Sequence, residues 1–175
     1  MKYATLTYLK TDKGVLMIAK KERVNDPNSG YKVIPGGKLE SDEIGLKNIE
    51  GRVFSSKRET KDETGIIPLN SVLRGAILFD NKDRTFPNWP NADNFYVYIF
   101  FATKYEGELK ESDEGIPFWS PEEKILSYPM NPGDKLMYNW IKDDNFKKGR
   151  SFFGVIKHKG NEIDEEGSWV DWSKQ

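Results

Sequence analysis

Three carboxylates, Glu59, Asp62 and Glu63, fall within the run Arg58-Glu59-Thr60-Lys61-Asp62-Glu63-Thr64-Gly65-Ile66. Each helical residue advances about 100°, so the spacing i, i+3, i+4 places all three on one face. Like charges so close repel by a few tenths of a kcal/mol unless a cation lies among them. Oxygen ligands without a soft partner suit Mg²⁺ or Mn²⁺, which leave coordination positions open to water and phosphate oxygens. The plain alternative is a solvated acidic helix face, common in a chain with 31% charged residues. Upstream, Pro35-Gly36-Gly37 can bring bare backbone close to a ligand or metal.

Composition narrows the chemistry further. The chain has no cysteine and only one histidine, His158. Disulfide scaffolds, thiolate metal centres, thiol catalysis and histidine-rich sites are therefore excluded. Twenty-seven basic residues nearly balance 28 acidic ones, with no long basic tract. A duplex nucleic acid partner, which needs a concentrated positive face, is not expected, whereas a nucleotide ligand is compatible. The N-terminus lacks the apolar core of a signal peptide, and no run of 18 apolar residues is present. A cytoplasmic protein without a membrane partner is the expectation.

The elements that must hold these residues read as one mixed α/β domain spanning 1–175, rich in strands. Strands are expected over Tyr3–Leu9, Gly14–Lys20, Tyr31–Ile34, Val72–Phe79 and Asn94–Tyr105, the last in mid-sheet. Pro35-Gly36-Gly37 stops the third. A helical pattern with an apolar set runs from about Asp42 to Thr64, its first half weakened by Gly45 and Gly51. Residues 81–93 read as a long loop whose Trp89 either stacks on a base or covers the core. A short strand (Ile116–Ser120), a helix (Pro132–Lys142) and a closing strand pair (Phe152–Val155 with Trp169–Trp172) complete the chain. His158, between Lys157 and Lys159, reads as a surface residue without a role.

Gly36-Gly37-Lys38-Leu39-Glu40 followed by RETKDETGI resembles the signature of the Nudix hydrolase family, G-x5-E-x7-R-E-U-x-E-E-x-G-U. Arg58, Glu59, Glu63, Gly65 and Ile66 match; Asp62 replaces a usual Glu, and Thr60 an apolar residue. Gly37 and Glu43 satisfy the first spacing, but fourteen residues rather than seven then precede Arg58. Glu50 has the expected spacing to Arg58 but lies too far from Gly37. The signature thus carries a seven-residue insertion, expected between Gly37 and Glu50, with Glu50 the favoured partner of Arg58 and Glu43 its rival.

The resemblance implies the Nudix α/β/α sandwich with a mixed sheet. It implies Mg²⁺, with Mn²⁺ as substitute, held by Glu59, Glu63, Asp62 and the carbonyl of Gly36 or Gly37. Arg58 pairs with a signature carboxylate, and Glu63 or a distal acid takes the proton from water. Glu114 leads the distal candidates, ahead of Glu111 and Asp113, because an acidic turn there precedes Ile116-Pro117-Phe118-Trp119.

Later motifs resemble the MutT-like branch, which hydrolyses nucleoside triphosphates and in particular oxidised purine nucleotides such as 8-oxo-dGTP. They are the acidic turn, Met130-Asn131-Pro132-Gly133-Asp134 and Phe152-Phe153-Gly154. The substrate-binding positions carried over are Lys38, Val33, Asn131 and Asp134. Val33, Asn131 and Gly133 depart from that branch's base-reading residues, and Asp134 reads equally as a first-turn helix acid.

The first functional reading is Mg²⁺-dependent cleavage of a nucleoside triphosphate to the monophosphate and pyrophosphate. A second is cleavage of ADP-ribose, a dinucleotide or a capped RNA. A third, of another class, is a nucleotide-binding module with weak turnover.

Overall fold

A computed structural model describes the chain apart from Asn25, Pro27, residues 46–48, residues 85–92 and Gln175. In chain order the elements are β1 (Lys2–Thr11), β2 (Gly14–Lys20), β3 (Lys32–Val33), β4 (Gly36–Lys38), α1 (Ser41–Gly45), α2 (Ile49–Thr64), β5 (Ile66–Pro68), β6 (Val72–Asp83), β7 (Phe95–Ala102), β8 (Tyr105–Gly107) and β9 (Gly115–Ser120). After a 3-10 turn at Glu122–Ser127 come α3 (Pro132–Lys142), α4 (Asp144–Lys147), β10 (Phe152–Lys159), β11 (Glu162–Ile163) and β12 (Trp169–Trp172).

The main sheet is mixed and runs β11-β10-β6-β7-β1-β2-β3, with β12 on β10, β4 on β1 and β9 on β2. The aromatic strand β7 lies mid-sheet as its composition implied, antiparallel to β6 and parallel to β1. Successive strand side chains point to opposite faces, and β1 shows what each face meets. The Thr7 hydroxyl is 2.7 Å from that of Ser56 on α2. Its neighbour Tyr8 packs edge-on against Tyr138 of α3 and Phe146 of α4, with ring centres 6.1 and 6.2 Å apart. Helices thus cover both faces of the sheet, the expected α/β/α sandwich.

Two expectations about this scaffold change. Pro35-Gly36-Gly37 does not simply end a strand: Gly36–Lys38 forms β4, antiparallel to β1 with Leu6 opposite Gly36 and Thr5 opposite Gly37. The helical stretch comprises α1, which ends at Gly45, and α2, which begins at Ile49 and runs on through Gly51. The buried face of α2, however, is hydroxyl rather than apolar, with Ser55, Ser56, Thr60 and Thr64 wholly buried while Phe54 is exposed. Thr60 donates to the Ser56 carbonyl at 2.7 Å, and its oxygen lies 2.9 Å from the Thr7 hydroxyl, which it can accept from. These bonds join helix to strand where the family pattern has an apolar residue. Trp89 lies outside the described residues.

Candidate active site

The acidic run occupies the last turns of α2, and β4 passes directly over it. The Gly36 N–H donates to Glu63 Oε2 at 2.8 Å. A Cβ on Gly37 would overlap the Glu59 carboxylate, so a larger residue there would push that carboxylate out of its present place. Glu59, Asp62 and Glu63 then line one cleft of about 1480 Å³ together with Gly36, Gly37 and Lys38. The acidic turn Glu111–Glu114 reaches the same cleft from the other side. The helix-face arithmetic is thereby realised.

Charge around the carboxylates is uneven. Glu63 is nearly buried; burial pushes its pKa up to about 7, against the opposing pull of Lys20 and the Gly36 N–H. Glu59 is also raised, chiefly by burial, with Arg58 opposing. Glu114 is held below the usual range, first by its hydrogen bond from Lys20. Lys20 Nζ bridges the two, 3.3 Å from Glu63 Oε1 and 2.8 Å from Glu114 Oε2. Asp62 is the most exposed of the acidic triad, and its carboxylate is 4.0 Å from Arg58.

Arg58 settles which glutamate completes the signature. Its Nε is 2.9 Å from Glu43 Oε1, and its Nη2 donates to Glu43 Oε2 at 3.0 Å. Glu43 is only 3% exposed and also accepts from the Glu40 N–H at 2.7 Å. Burial alone would raise Glu43, but the Arg58 hydrogen bonds outweigh it and hold the carboxyl low. The favoured partner, Glu50, is instead an exposed residue of the first turn of α2. The extra residues therefore follow Glu43. Glu50 and Arg58 lie eight residues apart on the one helix α2, about 12 Å along its axis, so counting back reached a carboxylate held away from the guanidinium.

The same cleft is also lined by Val33, Phe79, Met130, Asn131, Asp134 and Met137. Asp134, in the first turn of α3, is pushed up to about 6 by burial, with Arg84 opposing. The Asn131 amide is already engaged: its Oδ1 accepts from Arg84 at 3.1 Å, and its Nδ2 donates to Asn28 Oδ1. Lys38 is exposed at the rim, its ammonium 6.0 Å from the centre of the Phe95 ring.

Sequence reasoning missed two residues here. Lys20 sits inside the acidic cluster, and its only sequence signal was a charge at the end of an apolar strand. His158, read as exposed, is completely buried and lines the cleft. The signal was present in β10, whose buried positions alternate through Phe152, Gly154, Ile156 and His158.

The NUDIX domain model matches residues 2–141. The chain belongs to the Nudix family. This Nudix chain is 35% identical over 127 residues to the uncharacterized Nudix hydrolase YvcI of Bacillus subtilis, covering 72% of this chain and 70% of that protein. The MutT protein of Bacillus halodurans superposes with a TM-score of 0.71 and 25% identity, covering 100% of this chain and 99% of that one. The NUDIX domain of Shewanella oneidensis NrtR, solved with ADP ribose, gives 0.59 at 16% identity, covering 79% and 84% of the two chains.

Does the Nudix site suit a divalent cation? Among the described residues no three acidic or histidine side chains already converge as a metal cage. The carboxylates lean on Arg58 and Lys20 instead. The donor set is nevertheless all oxygen, and the Gly37 backbone is pressed against Glu59. Both buried glutamates are raised, so a nearby positive charge would relieve them. The residues fit a hard cation.

Proposed function

We propose that this Nudix hydrolase cleaves a nucleoside triphosphate to the monophosphate and pyrophosphate, with oxidised purine nucleotides such as 8-oxo-dGTP among the substrates. One observation carries the reading: a single cleft is lined both by the acidic Glu59, Glu63 and Glu114 and by Phe79, Met130, Asp134 and Met137. A nucleotide has matching parts, a phosphate chain and a flat base.

Glu59 and Glu63 would hold Mg²⁺ (or Mn²⁺), with Asp62 and the Gly37 carbonyl contributing. Bound there, the ion would lower the pKa of water and neutralise phosphate charge. Arg58 positions Glu59, with its Nη1 3.0 Å from Glu59 Oε1, and is itself anchored by Glu43. With a cation bound, Glu63 would be drawn down from about 7, so its carboxylate would be ionised and able to accept the proton of water near neutral pH. Glu114, held low by Lys20, stays ionised beside it, so two neighbouring carboxylates take different roles. Lys38, at the rim, would meet the phosphate chain.

The test is product analysis with 8-oxo-dGTP, dGTP, ATP and ADP-ribose in Mg²⁺, alongside Glu63→Gln. Pyrophosphate from a triphosphate, lost in the variant by at least about a hundredfold, is expected. Turnover of ADP-ribose alone would move the protein to the second reading, which the Shewanella domain's complex favours. Tight binding without metal-dependent phosphate release would leave a binding module.

A further inference from the structure

β10 runs parallel to β6, with Ile156 opposite Phe79 and Lys157 opposite Asp80, until the register shifts between Lys157 and Lys159. Strand alternation puts Phe79 and Asn81 on the same face as Ile156 and His158. His158 thus stands at an irregularity that re-aims a side chain, a device common beside functional sites. It is 0% exposed, and neither ring nitrogen has a hydrogen-bond partner among the described residues. Asn81 is 5% exposed and donates from Nδ2 to the Asp93 carbonyl at 2.8 Å, while its Oδ1 has no partner among the described residues. Buried polar groups are nearly always paired, so three unpaired atoms on the wall of one cleft call for a ligand.

Gly133 faces the ring from α3. A Cβ there would come 3.0 Å from His158 Nε2 and 3.2 Å from Phe79, so the glycine keeps the imidazole uncrowded. Burial, then the nearby Arg84, lowers His158 to about 4, against the pull of Asp80. The ring is therefore neutral at pH 7, one nitrogen donating and one accepting. Asn81 Oδ1 adds an acceptor, and Asp134 offers a carboxylate on the same cleft.

We propose that His158 and Asn81 are the specificity-determining pair for the base, and that they take an edge carrying contiguous N–H donors beside an acceptor, the guanine type. Guanine offers a ring N–H and an adjacent amino group next to a carbonyl, which match two acceptors and the imidazole N–H. Adenine offers one amino group beside an unprotonated ring nitrogen, and uracil a single N–H. The apolar walls Phe79 and Met137 suit the flat faces of the base. The inference rests on the nucleotide reading above but adds residues and a base class to it.

The experiment is equilibrium binding of GMP, IMP, AMP and UMP without added metal, which separates base reading from turnover. Wild-type protein should prefer GMP over AMP at least about tenfold, with IMP between them. His158→Phe should remove that preference, and His158→Asn should restore part of it. The melting temperature of ligand-free His158→Phe should match or exceed wild type, because an unpaired buried imidazole adds nothing to the free protein. Gly133→Ala, which crowds the ring from the facing side, should also reduce GMP preference and decides the matter should His158→Phe not fold.

Absence of base preference in the wild type, or unchanged preference in both variants, overturns the assignment even where triphosphates are hydrolysed. Preference that depends on His158 without any hydrolysis upholds it and overturns the enzymatic reading alone.

Discussion

Exchange of the two glutamates that compete for Arg58 gives the sharpest test of how the signature is assembled. Glu43 is almost fully buried and takes two charge-assisted hydrogen bonds from Arg58, at 2.9 and 3.0 Å. In Glu43→Gln one side-chain oxygen can still accept, so roughly one charged bond is lost, about 2 kcal/mol. At this chain length that lowers the melting temperature by about 4–8 °C. Arg58→Met is more damaging, about 3–5 kcal/mol, because it strands the buried Glu43 carboxylate without its partner. Glu50→Gln, at an exposed position, should stay within about 0.5 kcal/mol of wild type.

Urea unfolding at pH 7, followed by circular dichroism, measures all three, and the double variant gives the coupling. The sign of the pH dependence is also fixed. Glu43 is depressed in the folded state, so its contribution is present above the unfolded carboxyl value of 4.5 and fades as pH falls below it. Equal losses from Glu43→Gln and Glu50→Gln, or a Glu43–Arg58 coupling below about 0.5 kcal/mol, would refute the assignment.

Two further outcomes follow from burial in and behind the site. In chelator, Glu63→Gln should be more stable than wild type above pH 7 by up to about 3 kcal/mol, a bound set by a rise from 4.5 to about 7. The folded value is raised, so the Glu63 contribution is fully present below pH 4.5 and lost through pH 7; a pH-independent gap in thermal melts would contradict this. Thr60→Val removes two buried hydrogen bonds and should cost about 1–2 kcal/mol in denaturant unfolding, whereas a neutral or stabilising result would show the hydroxyls contribute nothing net.

Much of this molecule is written in local patterns. The β7 run of alternating aromatic and aliphatic residues announces a central strand, and the Glu59-Asp62-Glu63 spacing announces one helix face. What was not legible depends on non-local packing. The choice between Glu43 and Glu50 turns on which carboxylate packs against Arg58, which residue counting does not reveal. The pairing of β5 with β8 joins two three-residue segments too short to carry a period. His158 was misjudged because its lysine neighbours suggested solvent, although alternate strand positions point to opposite faces and charged neighbours are compatible with a buried one. Lys20 illustrates another limit: its partners Glu63 and Glu114 are 43 and 94 residues away along the chain.

The hydroxyl seam between α2 and β1 has a consequence for how the chain tolerates changes in length. Apolar contacts allow a helix to slide, but hydrogen bonds are directional, and a one-residue slip moves every donor by about 1.5 Å and 100°. Thr7, Ser56 and Thr60 therefore fix the phase of the downstream half of α2 against the sheet. Added or deleted residues must be absorbed before that lock. The seven extra residues, which follow Glu43, come before the lock at Ser56 and so leave the aim of Glu59 and Glu63 unchanged.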